Sequence, residues 1–214
     1  MVFPVLIERL KDALEQPLPG PGAQLNMSSM TRIREMMKSP PDLNNAVSSS
    51  VLILIYPISD GNDAGIALIQ RPPYDGVHGG QISLPGGRFE DTDKDLLQTA
   101  IRESKEEIGL DPGDLMILGK ISDLYIPPSN YLVSPFVGYC KAKPSFLPDP
   151  AEVECILEIP LSKLRDDQYV RCKVIEVRGT EIEAPCFVID DHIIWGATAM
   201  ILNELKEILK QFSL

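Results

Sequence analysis

Apolar residues occur along the chain in short continuous runs and in helix-period stripes, and the two patterns predict strands and helices in a mixed order. SVLILIYPI (residues 50–58) and AGIALIQR (64–71) have the length and apolar content of buried strands. SDGND between them supplies turn residues, so we predict a β-hairpin or meander. Five later segments are also predicted as strands: MILGKISDLYI, YLVSPFVGYC, VECILEIP, QYVRCKVIEVR and EAPCFVID.

Helical periodicity is found at residues 5–16, from about Asp91–Asp93 to Gly109, and at 196–212. Asp suits a helix N-cap and Gly109 suits a C-terminal stop. The second helix alone lies among the strands, so the pattern predicts an α/β fold around a mixed sheet and not the alternating order of doubly wound folds. The last helix carries one apolar stripe: Ile201, Leu202, Leu205, Ile208 and Leu209.

The N-terminal part of the chain has a different character. QPLPGPGAQLNMSS is a Pro/Gly-rich connector, and RIREMMKSPPDLNN is a polar stretch without a clear structural preference. We therefore predict two parts. Residues 1–49 form an N-terminal helix and extension packed on or capping the domain, and residues 50–214 form the domain itself.

Composition narrows the class of protein. The 214 residues are 44% hydrophobic and have a net charge of -11, which argues against binding nucleic acid or an anionic membrane through a basic surface. The longest apolar run, residues 51–58, is too short to span a bilayer, and no secretory signal is recognisable. The four cysteines form no CxxC and are expected to be reduced, so we expect a cytoplasmic protein with neither a zinc site nor disulfides.

Three glutamates of the second helix are the main chemical signal. At about 100° per residue, Glu103, Glu106 and Glu107 share one sector of roughly 100°, beside the apolar sector that faces the core. Like charges at this spacing repel one another. A cluster of this kind is most often an ordinary solvated helix face, and this interpretation competes with a functional one. Oxygen ligands without nearby His or Cys suit Mg²⁺ or Mn²⁺. Arg102 lies four residues before Glu106 and can orient it.

The segment around these glutamates resembles a known motif. PGGRFEDTDKDLLQTAIRESKEEIGL resembles the Nudix box, G-x5-E-x7-R-E-U-x-E-E-x-G-U with U aliphatic. Gly87 takes the place of the first glycine, and six further positions match: Arg102, Glu103, Glu106, Glu107, Gly109 and Leu110. The sequence departs from the pattern at Asp93, which replaces the first glutamate one residue further from Arg102, and at Ser104, which replaces an aliphatic residue.

The flanking HGGQISLPGG resembles the HxGQxSFPGG of the Nudix subfamily that cleaves coenzyme A, and similar segments cover most of residues 50–205. Gly76, Pro72 and Leu84 depart from that subfamily's residues. The resemblance implies a Nudix-type α/β/α sandwich and hydrolysis of a nucleoside diphosphate derivative. Coenzyme A or an acyl-coenzyme A would give 3′,5′-ADP and (acyl-)4′-phosphopantetheine.

The resemblance also implies roles for residues. Glu103, Glu106 and Glu107 would hold divalent cations, with the Gly87 carbonyl as a further ligand, and Arg102 would belong to the catalytic set. Glu103 and Glu152 are candidate general bases, with Glu154 as the next candidate, although Glu152 suits a solvated loop equally well. Four residues are candidates for substrate binding: Arg71, Arg88, His78 and Gly86.

Purely structural roles are alternatives to several of these assignments. Arg71 also fits a surface ion pair, and His78 fits a structural residue that bonds backbone in a Gly-rich turn. The Tyr125–Tyr131 loop is a candidate wall of the substrate pocket. We expect Trp195 to pack the last helix on the sheet, as a core residue and not as a ligand contact.

Other functions remain open at this stage. ADP-ribose or another dinucleotide is an alternative substrate, because the box specifies chemistry and not the leaving group. A nucleotide-sensing module without turnover is an alternative from a different class, although all three glutamates are present. An isomerase on the same scaffold would need further Cys or His residues. The expected partner is a small-molecule diphosphate, and a homodimer is possible.

Overall fold

The computed structural model describes residues 2–38, 43–58, 63–72, 80–177 and 179–212. His78, the candidate substrate residue, and Gly76, a departure from the subfamily pattern, lie outside the described residues. The helices are α1 (Phe3–Leu14), α2 (Gly20–Leu25), α3 (Met30–Lys38), α4 (Leu96–Ile108), α5 (Leu161–Arg165) and α6 (Gly196–Lys210). The strands are β1 (Val47–Ile58), β2 (Asp63–Gln70), β3 (Ile82–Ser83), β4 (Gly86–Arg88), β5 (Met116–Lys120), β6 (Leu124–Ile126), β7 (Tyr131–Tyr139), β8 (Cys155–Pro160), β9 (Val170–Val177), β10 (Thr180–Ile189) and β11 (His192–Trp195).

An eight-stranded sheet forms the centre of the molecule. Its main strand order is β3-β2-β1-β7-β5, with β4 paired to β1, β6 to β7 and β8 to β2. The pairing of β1 with β7 is parallel and the other pairings in this sheet are antiparallel, so the predicted mixed sheet is confirmed. Along one edge of β1, β4 pairs at Ser49–Val51 and β2 pairs at Ile55–Ile58.

The two faces of the sheet carry separate apolar clusters because successive side chains of β1 point to opposite faces. Leu52, Leu54 and Tyr56 pack with Ala100 and Ile108 of α4. Ile53 and Ile55 belong to the other cluster, which also contains buried residues of α1, α5 and α6. Helices therefore cover both faces, as predicted for an α/β/α sandwich.

A smaller antiparallel sheet, ordered β11-β10-β9, precedes α6. Phe187 and Ile189 of β10 and Ile194 of β11 are buried in the cluster that contains α6. The solvent-facing residues of β9 are largely polar. This second sheet is therefore held to the main body through β10 and β11.

The N-terminal residues are more ordered than the sequence predicts. Apolar residues of α1 enter the main core, and α2 is fixed to α6 by polar contacts. The buried Glu204 carboxylate accepts hydrogen bonds from Gly20 N, Gln24 Nε2 and Ser122 N. GPGAQL has little intrinsic helix propensity, so these tertiary contacts explain why a helix forms where a connector was expected. β1 begins at Val47, three residues before the predicted start of the second part.

Among the described residues, no helix combines the length and the apolar character needed to cross a bilayer.

Candidate active site

The helix that carries the glutamates begins later than predicted. Asp95, and not a residue of 91–93, is the N-cap of α4, because its Oδ1 accepts a hydrogen bond from Gln98 N at 2.8 Å. In turn, Oε1 of Gln98 accepts a hydrogen bond from Lys94 N. Gly109 ends the helix in the left-handed conformation with φ 67°, as its sequence position predicts.

Asp93 binds the arginine of the motif instead of capping the helix. Its buried carboxylate accepts two bonds from Arg102, Nε to Oδ1 at 2.9 Å and Nη2 to Oδ2 at 3.0 Å. Thr99 Oγ1 and Glu90 N also donate to it. The hydrogen bonds from Arg102 hold the pKa of Asp93 down at about 2. The shorter side chain at this position therefore still forms a paired, bidentate contact.

Arg102 also orients two of the three glutamates. Its Nη1 donates to Glu103 Oε1 at 2.9 Å and to Glu106 Oε2 at 3.0 Å, which is the orienting contact expected from the sequence. Its Nη2 donates to Arg88 O. One guanidinium thus links α4 to the end of β4, and the repulsion between Glu103 and Glu106 is offset before any ligand binds.

Glu107 is held by a different set of contacts. Its side chain is 0% exposed, whereas that of Glu106 is 56% exposed. Arg71 Nη2 donates to its Oε1 at 2.6 Å, and Gly86 N donates to its Oε2 at 2.8 Å. Burial raises the pKa of Glu107 to about 7, although Arg71 opposes the rise. Arg71 is therefore seen in an ion pair, the role that competed with phosphate binding.

Two consecutive glycines let β4 lie between β1 and α4. Gly86 has φ 148°, and a Cβ there would lie 2.3 Å from Ser50 O. A Cβ on Gly87 would lie 2.4–2.6 Å from the carboxyl atoms of Glu103. The Glu103 carboxylate therefore occupies the space next to the Gly87 backbone, and a larger residue at 87 would displace it.

The loop that carries Glu152 is attached to the end of α4. Leu147 N donates to Ile108 O at 2.9 Å and Asp149 N donates to Glu107 O at 3.0 Å. A Cβ on Gly109 would lie 2.8 Å from Leu147 Cβ, so this glycine permits the attachment as well as the helix end. Burial raises the pKa of Glu103, and the Glu106 and Glu152 carboxylates add to the rise.

The structure thus brings Glu152 within electrostatic range of Glu103. Glu154, the next candidate for the base, is exposed and accepts a bond from Gln70 Nε2 at 3.3 Å. The sequence indicated both residues, and they differ in their surroundings: the charge of Glu152 contributes to the raised pKa of Glu103, whereas Glu154 bonds to Gln70 of β2.

The donors fit a hard divalent cation by their chemistry. Glu103 and Glu106 each have one oxygen bonded to Arg102, which leaves the other oxygen for a ligand. Within the described parts of the chain, no three acidic, His or Cys side chains are yet arranged around a common ion position. Glu107 has both oxygens bonded, to Arg71 and to Gly86 N, so it would have to exchange one of these bonds to contribute to an ion.

Ser104 and Leu84, two departures from the motifs, are both accommodated internally. Ser104 is buried, and its Oγ donates to Ala100 O, one turn earlier, at 2.7 Å. Its hydroxyl is therefore satisfied within α4. Leu84 is 2% exposed and belongs to the main core.

A cavity of about 520 Å³ lies on the other side of β4. Gly86, Gly87 and Arg88 form one wall, with Arg71 beside them. Its volume is in the range of small-molecule sites. The remaining walls are largely apolar and come from the N-terminal segment, the loop after β6, the smaller sheet and α6, with these residues among them: Met27, Ile126, Pro127, Tyr131, Val177, Ile182, Trp195 and Ile201.

Two expectations about this cavity have different outcomes. Pro127, Pro128 and Tyr131 of the predicted pocket loop do line it. Trp195 also lines it and is only half-buried, so the expectation of a purely core role was wrong. Gly196, with φ 63°, follows Trp195 and turns the chain from β11 into α6 beside the cavity.

The chain is thus an α/β/α sandwich in which a strand with two consecutive glycines packs against a glutamate-bearing helix. The NUDIX domain model matches residues 49–168, more than half of the chain. The chain belongs to the Nudix hydrolase family.

Three similar proteins support this placement. Nudix hydrolase 15, mitochondrial, of Arabidopsis thaliana is 33% identical over 172 residues, which are 78% of this chain and 60% of that protein. This chain thus spans less than two thirds of the plant relative. The uncharacterized Nudix hydrolase NudL of Photorhabdus laumondii is 27% identical over 86% of this chain and 97% of its own length. The crystal structure of the M. smegmatis Nudix hydrolase RenU has the same fold, with a TM-score of 0.55 at 16% identity over 79% of this chain and 89% of that chain.

Proposed function

We propose that the protein hydrolyses the pyrophosphate bond of a nucleoside diphosphate derivative with the help of divalent cations. The observation that carries the proposal is the position of β4. Gly87 has the Glu103 carboxylate beside it, in the space that a Cβ would occupy, and it also lines the cavity. A diphosphate lying along β4 would have its bridging oxygen beside the glutamates and its organic part in the cavity.

Each residue of the site then has a role. Glu103, Glu106 and Glu107, with the Gly87 carbonyl, would hold Mg²⁺ or Mn²⁺, which cancels phosphate charge and lowers the pKa of a bound water. Glu103 or Glu152 would accept the proton of the attacking water. Arg88, exposed at the end of β4, would bind a phosphate oxygen, and Arg71 would join it when Glu107 turns toward the ion.

We propose coenzyme A or an acyl-coenzyme A as the substrate. The pantetheine arm is long and less polar than a second ribose, because methyl and methylene groups separate its amides, and it therefore matches the apolar walls of the cavity better. Water adds across the P–O–P bridge: its hydroxyl bonds to one phosphorus and its proton goes to the released phosphate. The products are 3′,5′-ADP and (acyl-)4′-phosphopantetheine.

A hydrolysis panel tests both levels of the proposal. Coenzyme A, acyl-coenzyme A, ADP-ribose and dinucleoside polyphosphates would be incubated with Mg²⁺ or Mn²⁺ and the products identified. We expect turnover by the wild type and loss of it in Glu106→Gln, with Glu176→Gln on the exposed face of β9 as the control. A tenfold preference for ADP-ribose over coenzyme A would overturn the substrate. Equal background rates for wild type and Glu106→Gln would favour a binding module without turnover.

A further inference from the structure

Buried polar atoms without partners are concentrated around the cavity. Five such side-chain atoms occur among the described residues. Three of them, Ser28 Oγ, Arg32 Nε and Ser83 Oγ, belong to residues that line this cavity. Folded proteins satisfy the large majority of their buried polar atoms, so three exceptions on one cavity require an explanation.

Arg32 is placed at the cavity by the start of α3. The Ser29 hydroxyl accepts a bond from Arg32 N at 3.2 Å and so caps the first turn of this helix. At the other end of the side chain, Nη2 donates to Tyr125 O at 2.5 Å. The guanidinium is thus held between α3 and the strand β6, and these contacts fix the orientation of the side chain.

The charge of Arg32 lacks a described counter-charge. Across the residues whose side chains the structure describes, no carboxylate lies within ion-pair distance of it. Burial lowers its pKa, as expected for a cation that has lost water. A buried guanidinium paired mainly with one carbonyl is costly, and an anion would offset that cost.

The two serines supply neutral donors to the same cavity. Ser28, 6% exposed, comes from the N-terminal segment next to α3, and Ser83 comes from β3. Hydroxyl and guanidinium donors together suit an oxyanion with several acceptor oxygens. The apolar walls that make up most of the cavity cannot satisfy any of these donors.

We propose that Arg32, with Ser28 and Ser83, forms an anion subsite that recognises a phosphomonoester or a carboxylate carried by the substrate in addition to its diphosphate. The identity of the substrate rests on the proposed function, but the subsite is defined by these three residues alone. It makes the N-terminal segment a determinant of specificity, a role that the Nudix motif itself does not contain.

Binding and kinetics of matched ligands test the subsite. Coenzyme A would be compared with 3′-dephospho-coenzyme A, which lacks the phosphomonoester, and succinyl- with butyryl-coenzyme A, which lacks the terminal carboxylate. Dissociation constants would be measured by calorimetry in EDTA, and kcat and KM with Mg²⁺. The variant is Arg32→Gln. The control is Arg34→Gln, an exposed arginine two residues along the same helix that does not line the cavity.

We expect Arg32→Gln to weaken binding of one ligand that carries the additional anion about tenfold and to leave binding of the matched ligand that lacks this anion unchanged. The pair that responds identifies the anion. Ser83→Ala should weaken the same ligand by a smaller factor, and this variant decides the matter if Arg32→Gln does not fold. Equal loss for both members of each pair, or no loss for any ligand, would overturn the subsite. Selective loss of binding in a protein without turnover would keep the subsite and reject the proposed hydrolase function.

Discussion

The polar groups on the two sides of β4 differ in whether they have hydrogen-bond partners within the protein. Toward α4, Asp93, Arg102 and Glu103 are bonded to one another, and the buried Glu107 is bonded to Arg71. Toward the cavity, the Ser28 and Ser83 hydroxyls and Nε of Arg32 are buried without a described partner. The first side is ordered by its own charges before any ligand arrives, and the second leaves donors for a ligand. We therefore expect changes on the carboxylate side to lower kcat or stability and changes on the cavity side to raise KM.

Glu103→Gln should have the largest effect on the carboxylate side. The substitution keeps the shape but removes a charge that we assign to cation binding and proton transfer, so kcat should fall by about 10³-fold. Steady-state hydrolysis with Mg²⁺ measures this.

Glu152→Gln should lower kcat more than Glu154→Gln, because the charge of Glu152 acts on Glu103, whereas Glu154 bonds to Gln70. The reverse order would make Glu154 the base.

Asp93→Asn should mainly destabilise the fold. Removing one charge of a buried pair leaves Arg102 partly uncompensated, which should lower the free energy of unfolding by about 3 kcal/mol. Because Arg102 lowers the pKa of Asp93 in the folded state to about 2, the wild type keeps this advantage above about pH 4. The advantage is lost as the pH falls from there toward 2. Denaturant unfolding between pH 6 and pH 2 measures it, and a difference between the two proteins that stays constant over this range would contradict the assignment.

Gly87→Ala should reduce turnover without unfolding the protein. The new methyl group would lie 2.4–2.6 Å from the Glu103 carboxyl atoms and would move that side chain, so we expect kcat to fall by about 10²-fold. Gly22→Ala is the matched control, because a Cβ at Gly22 meets nothing within 4 Å. Full activity of Gly87→Ala would show that the position of Glu103 in this structure is not the productive one.

The sequence predicted the carboxylate side better than the cavity side. Local spacing on one helix determines where Glu103, Glu106 and Glu107 lie, so periodicity alone places them together. The contact of Asp93 with Arg102 joins a loop to a helix, and the choice between a cap and an ion-pair partner for Asp93 could not be made from spacing. The strands β1 and β2 were predicted correctly because their apolar runs are long and bounded by turn residues.

The cavity side depends on contacts distant in sequence. Arg32, Ile182 and Trp195 line one cavity although they lie far apart in the sequence. The contact of α2, which precedes α3, with Glu204 of α6 is likewise one that no local pattern shows. The signal that was available for α3 was Ser29 before a helix-period stretch, with the cationic side chain one turn into it. That signal indicates a helix, but it does not indicate whether the Arg32 side chain faces a cavity.

Ile182→Phe should affect the cavity side alone. Ile182 is half-buried and lines the cavity, so a larger ring would reduce the space for the organic part of the substrate. We expect KM to rise about tenfold with kcat nearly unchanged, since the glutamates are untouched. Val174→Phe on the exposed part of β9 is the control, because Val174 is 63% exposed and outside the cavity. A fall in kcat instead would mean that the two sides of β4 are coupled.

Asp95→Ala should have the smallest effect, and it decides where α4 begins. Removal of the N-cap bond to Gln98 N should lower the free energy of unfolding by about 1 kcal/mol, because that backbone donor loses its acceptor. Asp91→Ala should change it much less, since Asp91 is exposed and lies before the helix. If Asp91→Ala were the more destabilising change, the helix would begin where the sequence alone placed it. Asp93 would then be a residue of the first turn and could not hold Arg102 from the loop, so the charge order of the whole carboxylate side depends on this one boundary.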